Sequence, residues 1–89
     1  MSWKDVSFVL KSKKRRELLL LLEIPKTPTQ ISKYMKASLP NISLKLSDFI
    51  EMELVECINP KDVKGRIYRL TDKGREVVKK IKEMESDKR

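Results

Sequence analysis

Residues 38–55, SLPNISLKLSDFIEMELV, decide how the rest of the chain is arranged. Ser38 is a favourable helix N-cap because its side-chain oxygen can accept a hydrogen bond from the amide of Asn41, and Pro40 is tolerated in a first turn. Apolar residues then recur at the i, i+4, i+7 and i+8 spacing of one helical face: Ile42, Leu46, Phe49 and Ile50. The pattern predicts a helix over about residues 39–53 with one buried face.

The other face of this predicted helix carries short side chains that are mostly uncharged or basic. Its members are Asn41, Ser43, Leu44, Lys45, Ser47 and Asp48. A solvated helix usually carries long alternating charges, whereas Glu51 and Glu53 stand here at the far end. This distribution favours a helix that enters a groove of DNA. We name this predicted helix, over about residues 39–53, the reading helix.

A second helix is predicted directly upstream, beginning at Pro28. Thr27 and Gln30 match a capping box around this proline. The residues expected to face the core are Ile31, Tyr34 and Met35. Because the next N-cap follows closely, the two helices are joined by a tight turn and form a helix-turn-helix, in which the second helix enters the major groove.

Two more helices are predicted nearer the N-terminus. In residues 3–10 the apolar side chains share one helical face, and residues 17–24 contain a stretch, Leu18–Leu22, that is apolar on every side and is therefore expected to be buried. The basic run between them, residues 11–16, has two interpretations. It is either a solvated turn that keeps an apolar helix soluble or a patch that contacts phosphate.

A hairpin is predicted after the reading helix, over about residues 54–70. Two short runs rich in Val, Ile and Tyr, residues 54–58 and 66–70, flank a turn that contains Pro60 and Gly65. Its cations are Lys61, Lys64 and Arg66. The hairpin is either a β-wing that lies along the DNA backbone or minor groove, or an ordinary hairpin with solvated lysines. A last helix is expected from Thr71 or Asp72 to about residue 85.

The order of these elements resembles the winged helix-turn-helix regulators of the ArsR and MarR type. Three stretches carry the resemblance: SLPNIS at residues 38–43, ELVE at 53–56 and GRIYRLTDKG at 65–74. It implies an α+β, mainly α, fold over residues 1–89: a winged helix-turn-helix with a two-stranded β-wing and flanking N- and C-terminal helices.

The resemblance also implies contact residues. Those families place base-reading side chains at Ser43, Leu44 and Lys45, phosphate contacts at Thr29 and Gln30, and a wing contact at Arg66. The full predicted DNA-binding set is Thr29, Gln30, Ser38, Pro40, Asn41, Ser43, Leu44, Lys45, Lys61, Lys64 and Arg66. Leu44 departs from the families, where a polar or basic residue is frequent, and suggests contact with a thymine methyl group. The metal-sensing cysteines and histidines of the ArsR type are absent.

Composition favours a polyanionic partner and argues against catalysis. The net charge of +8 and pI near 9.8 make nucleic acid the first candidate and an anionic membrane surface the second. With one cysteine and no histidine, we expect no metal site, no cofactor and no activated nucleophile. Cys57 is expected to be a small buried hydrophobe. The longest apolar run is too short to span a bilayer, which predicts a cytoplasmic protein.

The expected function is therefore that of a sequence-specific regulator of transcription that binds double-stranded DNA and is not an enzyme. A different class remains open, because a fold does not fix its ligand. The alternative is a winged helix used for protein contact in a transcription or chromatin assembly, for which an exposed Leu44 would be the best support.

An excess of apolar residues at the chain ends predicts a homodimer. Other residues suffice to fill the core: Leu18, Leu21, Leu22, Ile31, Ile42, Leu46, Phe49, Leu54 and Leu70. This leaves an expected dimer interface of Trp3, Phe8, Val9, Val78, Ile81 and Met84. The target would be an inverted repeat with half-sites about 34 Å apart. In the alternative, Trp3 folds back to complete its own core.

Overall fold

The computed structural model describes residues 3–86 and arranges them as five α-helices and a two-stranded antiparallel sheet. The helices are α1 (Trp3–Leu10), α2 (Lys13–Leu21), α3 (Pro28–Met35), α4 (Leu39–Glu51) and α5 (Asp72–Ser86), and the strands are β1 (Val55–Cys57) and β2 (Tyr68–Leu70). Val55 lies opposite Leu70, and Cys57 lies opposite Tyr68. The predicted fold class, a mainly helical winged helix-turn-helix, is confirmed.

Both helices of the helix-turn-helix begin where their caps predict. The Thr27 side chain accepts from the Gln30 amide at 3.2 Å, and the Gln30 side chain accepts from the Thr27 amide at 2.9 Å, which completes the capping box. Ser38 accepts from the Asn41 amide at 3.4 Å. Lys36 ends α3 in the left-handed conformation, with φ of 52°. The tight turn is therefore fixed by local chemistry at each end.

The core draws on all five helices and both strands. Its buried apolar residues are Val6, Val9, Leu18, Leu19, Leu22, Ile31, Met35, Ile42, Leu46, Phe49, Leu54, Val55, Leu70, Val77, Val78 and Ile81. Phe8 packs edge-on against Phe49, with 6.3 Å between ring centroids. The core predicted from the sequence is confirmed except at Leu21, which is half-buried, while Leu19 is fully buried.

Three helix boundaries differ from the prediction, and one of them is the end of α2, which lies at Leu21 rather than at residue 24. Helix α2 begins at Lys13 rather than near residue 17, because Ser12 acts as its N-cap and accepts from the Arg15 amide at 3.3 Å. Most of the basic run is therefore the first turn of a helix. The reading helix, α4, ends at Glu51 rather than at residue 53, because Glu53 takes a φ of 63° and turns the chain towards β1.

Tyr34 and Ile50 were predicted to face the core, but both are exposed, at 70% and 41%. In α3, Met35 rather than Tyr34 packs inward together with Ile31, and Nζ of Lys26 lies 5.7 Å from the centre of the Tyr34 ring. On α4, Ile50 lies at the margin of the buried face. An eight-residue helix such as α3 has room for few inward positions.

The dimer prediction assumed that the apolar residues near the chain ends are left uncovered by the core, and this is wrong for Val9, Val78 and Ile81. Each of them is at most 3% exposed, because α1 and α5 pack on each other and on α2 and so cover these side chains within the protomer. Phe8 and Met84 are half-buried. Trp3 is 60% exposed and does not fold back onto the core. The chain ends therefore expose less apolar surface than the sequence indicated.

Ion pairs join α5 to α2 and to the turn that follows α2. Nη2 of Arg16 on α2 donates to Glu85 on α5 at 2.6 Å, and Nζ of Lys82 lies 2.8 Å from Glu23. The hydrogen bond to Glu85 raises the pKa of the Arg16 guanidinium against the opposing effect of burial, with the charges of Glu85 and Glu17 adding to the rise. None of the helices described over residues 3–86 is long and apolar enough to cross a membrane.

Candidate nucleic-acid interface

The reading helix α4 has a buried face and a projecting ridge on its opposite side. Ile42, Leu46 and Phe49 are at most 3% exposed and fix the helix on the core. Residues spaced by four and three positions from Pro40 lie along one line on the far side of the helix. These ridge residues are Pro40, Leu44, Ser47 and Glu51, and all four are exposed.

The polar side chains beside this ridge are available to a ligand. Asn41, Ser43 and Asp48 are exposed as predicted, and their side chains make no hydrogen bond or ion pair within residues 3–86. Lys45 was also predicted to project outward, but it is only half-exposed because it lies on the flank, nearer to the buried face. A rigid helix that holds unpartnered polar groups can form directed hydrogen bonds to a surface laid against it.

The predicted phosphate contacts lie at the first turn of α3. Thr29 and Gln30 are both exposed there. Gln30 uses its side-chain oxygen in the capping box, so its amide nitrogen remains a free donor within the described part of the chain. Ser38 occupies the equivalent capping position of α4. A helix start presents free backbone N–H groups and a positive dipole end, which suits an anion.

Asn59 organises the tip of the hairpin. Its amide nitrogen donates to Asp62 at 2.8 Å and to the carbonyl of Gly65 at 3.1 Å, while its oxygen accepts from the Ile67 amide at 2.6 Å. The sequence interpretation missed Asn59. The available signal was an Asn-Pro pair at the start of a turn, since Asn side chains commonly bond the backbone of their own loop.

This loop displays the predicted wing cations. Lys61 and Lys64 are exposed and have no partner among residues 3–86. Nε of Arg66 donates to the carbonyl of Asp62 at 2.7 Å, which orients the guanidinium on the loop. Val63 lies between the lysines and is 87% exposed. The tip is therefore an ordered basic projection.

Positive charge is left unneutralised on the helix-turn-helix and on the wing. Ion pairs elsewhere in the described residues join α5 to α1 and α2, and β2 to β1, as in the pair of Arg69 with Glu56 at 2.9 Å. Among residues 3–86, the lysines with no acidic partner include Lys33, Lys36, Lys45, Lys61 and Lys64. Lys11, Lys13 and Lys14 are also exposed and have no partner within residues 3–86, so this basic run is accessible both to solvent and to phosphate.

The remaining cavities and Cys57 offer little chemistry. A shallow cavity of about 550 Å³ beside the sheet is lined mainly by charged residues, and most of them already pair within the chain, such as Glu56 with Arg69 and Asp72 with Arg75. Cys57 was expected to be buried, but it is half-buried, with its Sγ 3.7 Å from Oδ1 of Asn59. Within residues 3–86, no group of His, Cys, Asp or Glu side chains could hold a metal ion.

The fold is a winged helix-turn-helix, and it is similar to that of solved MarR-type regulators. No family model matches the chain, and no curated protein matches it. Among solved structures it is similar to the multiple antibiotic resistance repressor MarR, with a TM-score of 0.73 and 20% identity over 82% of this chain and 55% of that one. It is also similar to FabT of Streptococcus pneumoniae in complex with DNA, with a TM-score of 0.72 and 22% identity over 85% and 55%.

A third similar structure is a variant of ZitR from Lactococcus lactis, with a TM-score of 0.73 and 23% identity over 85% of this chain and 53% of that one. The chain therefore spans about half the length of these neighbours. At such identities the similarity establishes the fold, and the residues that carry function must be argued from this chain's own surface.

Proposed function

We propose that the protein is a transcription regulator that binds double-stranded DNA sequence-specifically through a single winged domain, without enzymatic activity or cofactor. The reading helix α4 enters the major groove, and the β-wing lies on the backbone or in the minor groove. The observation that carries the proposal is that, within residues 3–86, both the polar side chains of the exposed face of α4 and the lysines of the wing have no partner. The neighbour FabT, solved in complex with DNA, supports it through a shared fold.

The contact residues divide into two groups by chemistry. Ser43, Leu44, Lys45 and Asn41 on α4 face base edges, where hydrogen bonds and apolar contacts carry sequence information. The second group positions the protein on phosphate or in the minor groove through backbone amides, hydroxyls and cations. It comprises Thr29, Gln30, Ser38, Lys61, Lys64 and Arg66. Pro40 has no N–H to donate, so it joins the first group through an apolar contact at the head of α4.

Single alanine substitutions separate the two groups. Lys45→Ala removes a base contact and should cost about 1 to 3 kcal/mol on the preferred duplex while relaxing preference at one position. Lys64→Ala removes a phosphate contact, so binding to all sequences should weaken alike. The slope of the logarithm of the binding constant against the logarithm of salt concentration should become shallower by about one unit. Titrations on the preferred and on random duplex at several salt concentrations measure both effects.

Lys79→Ala is the matched control, because Lys79 lies on α5, outside the helix-turn-helix, is exposed and has no partner in the described part of the chain. It should change affinity far less than Lys64→Ala. Equal losses for Lys45→Ala and Lys64→Ala on specific and random DNA would remove the distinction between reading and positioning residues.

The competing function is protein contact, and the exposed Leu44, at 66%, favours it. The two functions respond differently to salt. Binding to random duplex through phosphates weakens steeply as salt rises, whereas an apolar protein contact does not. Failure to bind random duplex even at low salt would favour protein contact.

We also propose a homodimer built from the terminal helices. The apolar surface left there is smaller than predicted, and it centres on a groove of about 310 Å³ lined by Trp3, Leu10 and Met84 among others. Sedimentation at micromolar concentration should show a species of twice 10.5 kDa, and Trp3→Ala should shift it towards monomer. Ile24→Ala, at another exposed apolar residue, is the control. A monomer that binds a half-site as tightly as the inverted repeat would rule the dimer out.

A further inference from the structure

We infer that Leu44 is a specificity-determining residue that recognises the 5-methyl group of thymine, so that the preferred site carries a thymine under the middle of α4. The inference rests on the proposed DNA binding and adds to it the chemistry of one base contact. It concerns how the sequence is read rather than whether DNA is bound.

Leu44 is placed on α4 where it can reach the base edges of a bound duplex. It lies on the ridge opposite the buried residues Ile42 and Leu46, and it is 66% exposed. The side chain therefore contributes little to the core. When a helix lies in the major groove with its buried face towards the protein, the opposite ridge lies deepest in the groove. Leu44 is therefore closer to the base edges than the residues on the flanks of the helix.

The ridge around Leu44 carries few polar side-chain atoms. Pro40 and Leu44 carry no side-chain polar atom, Ser47 is short, and Glu51 repels phosphates from the far end. Lys45, the cation of this helix, is half-buried on the flank. The ridge therefore reads mainly by apolar contact, and the thymine methyl is the apolar group that base pairs display in the major groove.

Uracil substitution tests this contact without changing a hydrogen bond. The probe is the duplex enriched from a random pool by the full chain, resynthesised with one thymine at a time replaced by deoxyuridine. Removing a buried methyl group should weaken binding about fourfold at one thymine of each half-site. With Leu44→Ala, the thymine and uracil duplexes should bind equally well.

Two controls complete the design. Ser47→Ala, on the same ridge, should keep the uracil effect, and thermal unfolding should show that Leu44→Ala remains folded, as expected for an exposed side chain. Leu44→Ala should lower affinity for the enriched duplex more than affinity for random duplex.

The outcomes separate this inference from the proposed function. An enriched duplex that binds equally well with every thymine replaced, or a uracil effect that persists in Leu44→Ala, overturns the role of Leu44 while DNA binding stands. A pool with no enriched sequence overturns both the thymine contact and sequence-specific reading. An equal loss of affinity for random and enriched duplex in folded Leu44→Ala assigns the residue to general affinity and likewise overturns the inference.

Discussion

Two glycines illustrate how differently single residues constrain this fold. Gly74, in the first turn of α5, is buried against the chain that leaves the reading helix, and a Cβ there would lie 2.0 Å from the carbonyl oxygen of Leu54. Gly65, in the wing, has a φ of +69° but nothing within 4 Å of the same position. Gly74 is required because a larger side chain has no space there. Gly65 is favoured because its backbone is left-handed.

Gly74→Ala should lower the free energy of unfolding by about 3 kcal/mol, because the clash is with backbone and no rotamer change relieves it. This loss exceeds the roughly 1 kcal/mol that alanine gains over glycine in helix propensity. Gly65→Ala should cost only about 1 kcal/mol of backbone strain. Urea denaturation of both variants measures the difference, and a Gly74→Ala variant as stable as Gly65→Ala would contradict the close approach.

At the scale of elements, the sequence predicted the helices best where a local signal marks their start. The capping box at Thr27 and the serine cap at residue 38 each involve partners three residues apart, so their geometry follows from sequence alone. The cap at Ser12 was missed because four cations follow it, in a turn where acids are the usual signal.

Side-chain exposure was harder to predict than the elements themselves. Tyr34 and Ile50 fit the inward period, but which apolar residues are covered depends on neighbouring elements distant in sequence. The same reason explains the burial of Val78 and Ile81, since α1 and α2 cover α5. Of the candidate interface, the exposed face of α4 was predictable from period and caps, whereas the role of Asn59 required the closed loop.

For the molecule as a whole, one lysine joins three separate parts of the chain. Nζ of Lys73, on α5, lies 3.3 Å from Oδ2 of Asp5 on α1 and donates to the carbonyl of Met52 at the end of α4 at 3.0 Å. Asp5 is buried, and its Oδ2 has no hydrogen bond within the described residues. The charge of Lys73 therefore offsets much of the cost of burying this carboxylate, in addition to the favourable dipole at the first turn of α1, where Asp5 lies. The same positive charge also interacts favourably with the negative end of the helix dipole, at the carboxyl end of the reading helix.

Lys73→Met tests this arrangement, because methionine keeps much of the apolar stem and removes the charge. The variant leaves Asp5 buried without a counter-charge and should lose about 1 to 3 kcal/mol of unfolding free energy, less than for a fully buried pair because Lys73 is 41% exposed. Lys82→Met, which breaks the more exposed pair with Glu23, should cost at most about 1 kcal/mol. Urea denaturation compares the two.

A second substitution identifies the cause of the loss. If the unpaired carboxylate is responsible, Asp5→Leu should restore much of the stability in the Lys73→Met background, since an apolar residue needs no counter-charge. The double variant, compared below its unfolding transition, should bind duplex DNA nearly as tightly as the unchanged chain, because Lys73 supports the exit of α4 and not its exposed head. A double variant less stable than Lys73→Met alone would show that the lysine acts mainly through Met52.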